Sequence, residues 1–192
     1  MYSYCFHELP VALEKKGKFR EALSKELKLH QEQIFNLEVE RFSLDSRRKG
    51  NPHWSYNVRF DVQNKLKEKY GRNILTACAS AVFGDNSEYQ LVNVQFENKG
   101  TEALGVTALV ENGEIKAVKE FPATYDEMST WRVDDEGEFG GLWADLVVLE
   151  NGVLTLYTVD NGAEGSNYQS YVVKGGALCE GNVSTSLYQA PM

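Results

Sequence analysis

The chain has 192 residues, 42% of them hydrophobic and 25% charged, and carries a formal net charge of −8 at neutral pH. This is an ordinary composition for a folded protein, long enough for one large or two small domains with a real core. No apolar run approaches the roughly 20 residues that span a bilayer, and the N-terminus lacks a secretory pattern, so the sequence predicts a soluble cytoplasmic protein.

Charge is unevenly spread. Residues 1–70 hold 14 Lys and Arg against 10 Asp and Glu, a net of +4, whereas residues 71–192 hold 6 against 18, a net of −12. A change of sign this large predicts a module boundary nearby, and opposite charge lets the two halves attract. Cys5, Cys78 and Cys179 lie far apart without CxxC spacing, which predicts packed thiols rather than a disulfide framework.

Tyr2, Tyr4 and Phe6 alternate with polar residues as a short strand that Pro10 stops. Phe19, Ala22, Leu23 and Leu27 then follow helical spacing, with lysines on the opposite face. Phe35, Leu37 and Val39 define a second strand, and the slip of parity at Glu40-Arg41 predicts a bulge. After the loop Asp45–His53, alternation returns over Trp54–Val62, with Trp54, Tyr56, Val58, Phe60 and Val62 on the core side. Val62, Leu66 and Tyr70 predict a helix closed by Gly71. The apolar run Asn73–Phe83 has no clear period and fits a buried strand or a helix; as a strand it gives the order β-α-β-β-α-β, the preferred reading, and a ferredoxin-like module over residues 1–83.

Residues 1–62, with LPVALE, FREALSKELKL and RFSLDSRRKGNPHWSYNVRFDV, resemble the N-terminal module of a family of bacterial FAD-dependent dehydrogenases of uncertain function. The matching positions are Arg41, Ser43, Asp45, Arg47 and Lys49, then Tyr56, Val58, Asp61 and Val62. In that family a glycine-rich dinucleotide-binding segment follows. Nothing after Gly71 reads G-x-G-x-x-G between a strand and a helix, so the resemblance implies the module's fold without flavin or redox chemistry.

From residue 84 to 192 the pattern is β. Tyr89–Phe96, Glu102–Val110, Glu114–Phe121, Trp143–Leu149, Val153–Val159 and Tyr168–Lys174 are predicted strands. Asn112-Gly113 and Asn151-Gly152 mark tight hairpin turns, because both residue types tolerate positive φ. The expectation is an α+β chain: a ferredoxin-like βαββαβ module, then an acidic, mostly antiparallel β module that curls or packs on itself.

No catalytic residue stands out. His7, His30 and His53 are scattered, no G-x-S-x-G elbow is present, and Asp134–Glu138 lacks the order of an EF-hand loop; no metal or cofactor is therefore expected. Two surfaces remain. Arg41, Arg47, Arg48 and Lys49 form a basic loop with Trp54 and Tyr56 nearby, a pattern suited to phosphates or nucleic acid but opposed by the acidic remainder of the chain. Between Glu120 and Glu164 there are 11 acids and a single base, Arg132, with Phe121, Tyr125, Trp131, Phe139 and Trp143 interspersed. This second pattern suits a non-catalytic interaction protein that docks a basic protein partner through Asp126, Glu127, Trp131, Asp134, Asp135, Glu136 and Glu138. An enzyme with a cleft between the modules is the third reading, and the sequence names no residues for it.

Overall fold

The structure is a computed structural model that describes residues 33–35, 37–38, 58–84, 86–161 and 165–188. One α-helix and ten strands are present among them. The helix α1 (Phe60–Tyr70) begins at an N-cap, Arg59, whose guanidinium holds the first-turn Asp61 at 3.0 and 2.8 Å. A carboxylate there complements the helix dipole, as Lys67 and Lys69 do in the last turn. Gly71 ends the helix in the left-handed region at φ 57°, its N–H bonded to the Lys67 carbonyl at 2.8 Å.

The strands are β1 (Gln33–Phe35), β2 (Leu37–Glu38), β3 (Ile74–Phe83), β4 (Tyr89–Phe96), β5 (Glu102–Glu111), β6 (Glu114–Thr124), β7 (Ala144–Glu150), β8 (Val153–Asn161), β9 (Gly165–Lys174) and β10 (Ala177–Tyr188). They join one sheet in the order β1-β7-β8-β9-β10-β6-β5-β4-β3-β2. Two antiparallel meanders, β3–β6 and β7–β10, are thus laid side by side. Their seam is the sheet's parallel contact, Ala177 opposite Val118, secured by Val118 N–H to the Gly176 carbonyl at 3.1 Å.

The opposite seam is bridged by one short segment. β1 pairs antiparallel with β7, Ile34 opposite Val148, and two residues later β2 pairs antiparallel with β3, Leu37 opposite Phe83. The two outer edges are held by the same stretch of chain, which gives the eight long strands a nearly barrel-shaped form and covers edges that would otherwise invite pairing.

The expected ferredoxin-like module is not formed. The strand 74–83 pairs along its length with β4 and continues into the meander, so the sheet runs unbroken past residue 83. The physical reason is the two-sided apolar character of the central strands: β4 is buried at every position from Leu91 to Phe96. One face, with Val92, Val94, Phe96, Val106 and Ala108, packs under Val62 and Leu66 of α1. The other, with Leu91, Leu109 and Phe83, packs against Leu154, Leu156 and Leu178 of the second meander. Complete burial of a side chain such as Val62 or Leu66 stabilises by roughly 1.5–3 kcal/mol, so the helix is held by this face.

The strand expected over Trp54–Val62 is also corrected at its end. The chain is helical from Phe60, whose side chain is 73% exposed instead of core-facing, because Val58, Val62 and Leu66 take the buried side at helical spacing. The remaining expectations for residues 1–57, including the first strand and the first helix, lie outside the described residues, except that Phe35 and Leu37 fall in β1 and β2. The helix predicted from Val62, Leu66 and Tyr70, and the antiparallel-rich sheet, match the structure. No described helix is long and apolar enough to cross a membrane.

The two charge halves meet where α1 lies on the sheet. Lys65 Nζ bonds Glu114 Oε1 at 2.7 Å and the Gly113 carbonyl at 2.9 Å, and Tyr70 Oη donates to Glu120 at 3.0 Å, while Arg72, just past the helix and within the second half, pairs with Glu102 at 3.3 Å. That carboxylate and burial together push the Tyr70 phenol well above its ordinary range, burial being the larger effect.

Candidate functional site

The inner face of the sheet changes character along its length. In the first meander the directly opposed pairs run from Leu91–Leu109 to Asn93–Thr107 and then Gln95–Gly105. In the second they run from Leu156–Tyr171 to Thr158–Gln169 and then Asp160–Asn167. Both ladders turn polar toward the end from which β6 runs into β7. The connecting segment, residues 125–143, folds back over that polar end.

Buried amides hold this segment in place. Gln95 Nε2 donates to the Gly137 carbonyl at 2.8 Å, and its Oε1 accepts the Phe139 N–H at 3.1 Å. Asn93 Nδ2 donates to the Leu142 carbonyl at 2.9 Å, and its Oδ1 accepts the Leu142 N–H at 3.2 Å. Thr107 Oγ1 donates to Asn93 Oδ1 at 2.6 Å, and Ser80 Oγ donates to the Leu142 carbonyl at 2.7 Å. The loop is therefore read by side chains as a neighbouring strand would be read by backbone. Gly105 and Gly141 make room for this, since a Cβ at either would run into the Phe139 ring or the Asn93 amide.

Asp135 organises the rest of the segment. It is 8% exposed and accepts backbone N–H groups from Thr130 at 2.9 Å, Trp131 at 2.6 Å, Arg132 at 2.8 Å and Gly137 at 3.0 Å. Burial alone would raise its pKa; the four N–H donors outweigh it and hold the carboxyl below its ordinary value. Asp126 fixes the preceding turn, its Oδ1 accepting from Met128 N–H at 2.8 Å and Ser129 N–H at 3.1 Å.

Between this segment and strands β8 and β9 lies a cleft of about 450 Å³. One wall carries Trp131 and Phe139, whose ring centroids are 5.3 Å apart, with Phe121 5.1 Å from Phe139. Trp131 is fixed by its Nε1–H, which donates to the Phe121 carbonyl at 2.8 Å. The facing wall carries Tyr171, Gln169, Thr158 and Asp160. Asp134, Glu136 and Glu138 also line it and are exposed. The one base in the lining is Arg132, which pairs with Asp160 at 2.9 Å. Burial, and secondarily the charges of Glu180 and Asp160, raise the Tyr171 phenol to about 12, so it stays a neutral, polar-edged aromatic surface. A second depression of about 300 Å³ lies beside the first and shares Glu136, Glu138, Phe139 and Trp143 with it.

Of the residues expected to dock a partner, Trp131, Asp134, Asp135, Glu136 and Glu138 are brought to this cleft, with Asp135 turned to the loop's own backbone. Asp126 and Glu127 lie in the exposed turn before it. Arg41, Arg47, Arg48 and Lys49 lie outside the described residues. Sequence reasoning missed Asp160, Gln169 and Tyr171, and it missed Asn93, Gln95 and Thr107 beneath the loop. For Asn93, Gln95 and Thr107 the available signal was a polar residue inside a strand between apolar neighbours, which requires something polar to cover it. Among the described residues no group of three or more His, Cys, Asp or Glu side chains is placed to hold a metal ion. No protein-family model, no curated protein and no solved structure matches the chain.

Proposed function

We propose that the protein is a non-catalytic binding protein that docks a basic protein partner at this acidic cleft. The observation that carries the reading is the coexistence, on one concave surface, of aromatic faces and carboxylates. The half-buried Trp131 and Phe139 supply apolar area at small entropic cost, with the buried ring of Tyr171 behind them, and Asp134, Glu136, Glu138 and Asp160 supply the field. The pairing favours cations, which gain from the negative faces of the rings and from the carboxylates together. The loop that carries much of the surface is held by buried hydrogen bonds, so little ordering entropy is lost on binding.

The test is a calorimetric titration with a flexible peptide rich in arginine and lysine, against an acidic peptide of the same length. The basic peptide should bind at low ionic strength and weaken as salt is added. The combined variant Asp134→Asn, Glu136→Gln, Glu138→Gln should weaken it further while leaving the fold intact. A protein that binds neither peptide, or binds the basic one equally well after those substitutions, would not dock its partner here.

A further inference from the structure

Arg132 stands out in the cleft because it is a cation among carboxylates. Its Nη1 lies 2.9 Å from Asp160 Oδ1, linking the loop to β8. The side chains are 49% and 57% exposed, and an ion pair so open to water is easily exchanged. The backbone of Arg132 is anchored separately, through its N–H to Asp135, so the loop does not depend on the guanidinium. A second cation already rests against the cleft's rings. Lys119 Nζ lies 5.5 Å from the Phe121 ring centroid and 5.1 Å from that of Tyr171, with Glu180 at 3.2 Å. The protein's own side chains thus show which chemistry these walls accept.

We propose that the cleft receives an arginine side chain of the basic partner, and that Arg132 holds that place on Asp160 until the partner's guanidinium displaces it. This rests on the docking reading above and adds the identity of the recognised group. Arginine suits the cleft better than lysine: its planar face stacks on aromatic rings while its edge pairs with a carboxylate, whereas an ammonium is a compact and strongly hydrated point charge. The exchange of one guanidinium for another keeps Asp160 paired throughout. Arg132 is then a built-in competitor, and its removal strengthens binding.

The experiment titrates the full chain, by calorimetry, with a blocked Gly-Ser peptide carrying several arginines and with the same peptide carrying lysines. Arg132→Gln should raise affinity for the arginine peptide by about twofold to fivefold, the range expected for freeing one exposed carboxylate. The gain should be smaller for the lysine peptide and should vanish in an Asp160→Asn background. Lys174→Gln, at an exposed position on β9 away from the cleft lining, makes the same change in net charge and should give no comparable gain. The inference is overturned if Arg132→Gln binds the arginine peptide no better than the parent, or if the gain survives the loss of Asp160. In either case a salt-sensitive affinity for basic peptides would leave the docking reading standing. No binding to either peptide would remove both.

Discussion

Asn93 engages both backbone groups of Leu142, accepting its N–H at 3.2 Å and donating to its carbonyl at 2.9 Å. One amide on the inner face of β4 thereby does for the returning loop what a strand partner would do. Thr107 shares the N–H at 3.1 Å and Ser80 shares the carbonyl at 2.7 Å, so the contact is backed up on both sides.

Asn93→Ala should therefore destabilise by an intermediate amount, about 1–3 kcal/mol, because Leu142 keeps one partner for each group. Asn93→Asp should behave differently. A carboxylate still accepts the N–H but cannot donate to the carbonyl, and it brings a charge into a buried site. Urea unfolding should place Asp below Ala in stability. The reverse order would mean that the two-sided contact contributes little.

Asp135 predicts an acid limb in stability. Its folded-state pKa lies below the ordinary value of 3.8, so its contribution is fully present above that value and is lost as pH falls through the folded pKa. Asp135→Asn should cost roughly 2–4 kcal/mol at neutral pH, since an amide presents N–H groups to donors that need an acceptor. The gap between parent and variant should hold down to about pH 4 and narrow below it. Denaturant midpoints measured across that range check the sign: a gap that widens with acid would contradict the hydrogen-bond account.

Parts of this fold are written locally. The period of Val62, Leu66 and Tyr70, with Gly71 behind it, specifies α1, and the Asn112-Gly113 and Asn151-Gly152 turns adopt the positive φ values their hairpins require. Alternation is less informative. It reports that Leu91, Asn93 and Gln95 share a side, but an inward side covered by a polar loop has the same signature as an outward side covered by water. The same ambiguity hid Thr158, Asp160 and Gln169. The acidic run at 134–138 was visible as a cluster, yet nothing local distinguishes Asp135, which turns inward, from Asp134 and Glu136, which do not. The ferredoxin-like order failed for a related reason: a βαββαβ string does not say that its last strand will pair forward with β4.

Gly105 and Phe139 form a matched pair. A Cβ on Gly105 would enter the Phe139 ring, which also packs on Phe121 and Trp131. Gly105→Ala should push the ring aside and cost about 1–3 kcal/mol through overpacking. Phe139→Ala should cost about 3 kcal/mol or more by leaving a gap at the aromatic wall. Together they should cost less than the sum, because the smaller side chain removes the collision. A double-mutant cycle yielding a coupling near zero would place the ring elsewhere.

The segment Gln33–Glu38 predicts a coupling between edges that are far apart in sequence. Ile34 sits opposite Val148 and Leu37 opposite Phe83, so one short stretch secures β7 and β3 at once. Proline cannot donate to a ladder and restricts the residue before it, so Ile34→Pro and Leu37→Pro should each loosen the closing strand. Because the two pairings lie within a few residues of one another, the damage should spread from one to the other. Hydrogen exchange should show faster amide exchange at Val147–Leu149 and at Val82–Phe83 in either variant, while β5, at the centre of the first meander, stays protected. The unpaired edges should also favour association at high protein concentration, visible by light scattering. If each proline loosened only the edge it faces, β1 and β2 would act as independent strands rather than one closure.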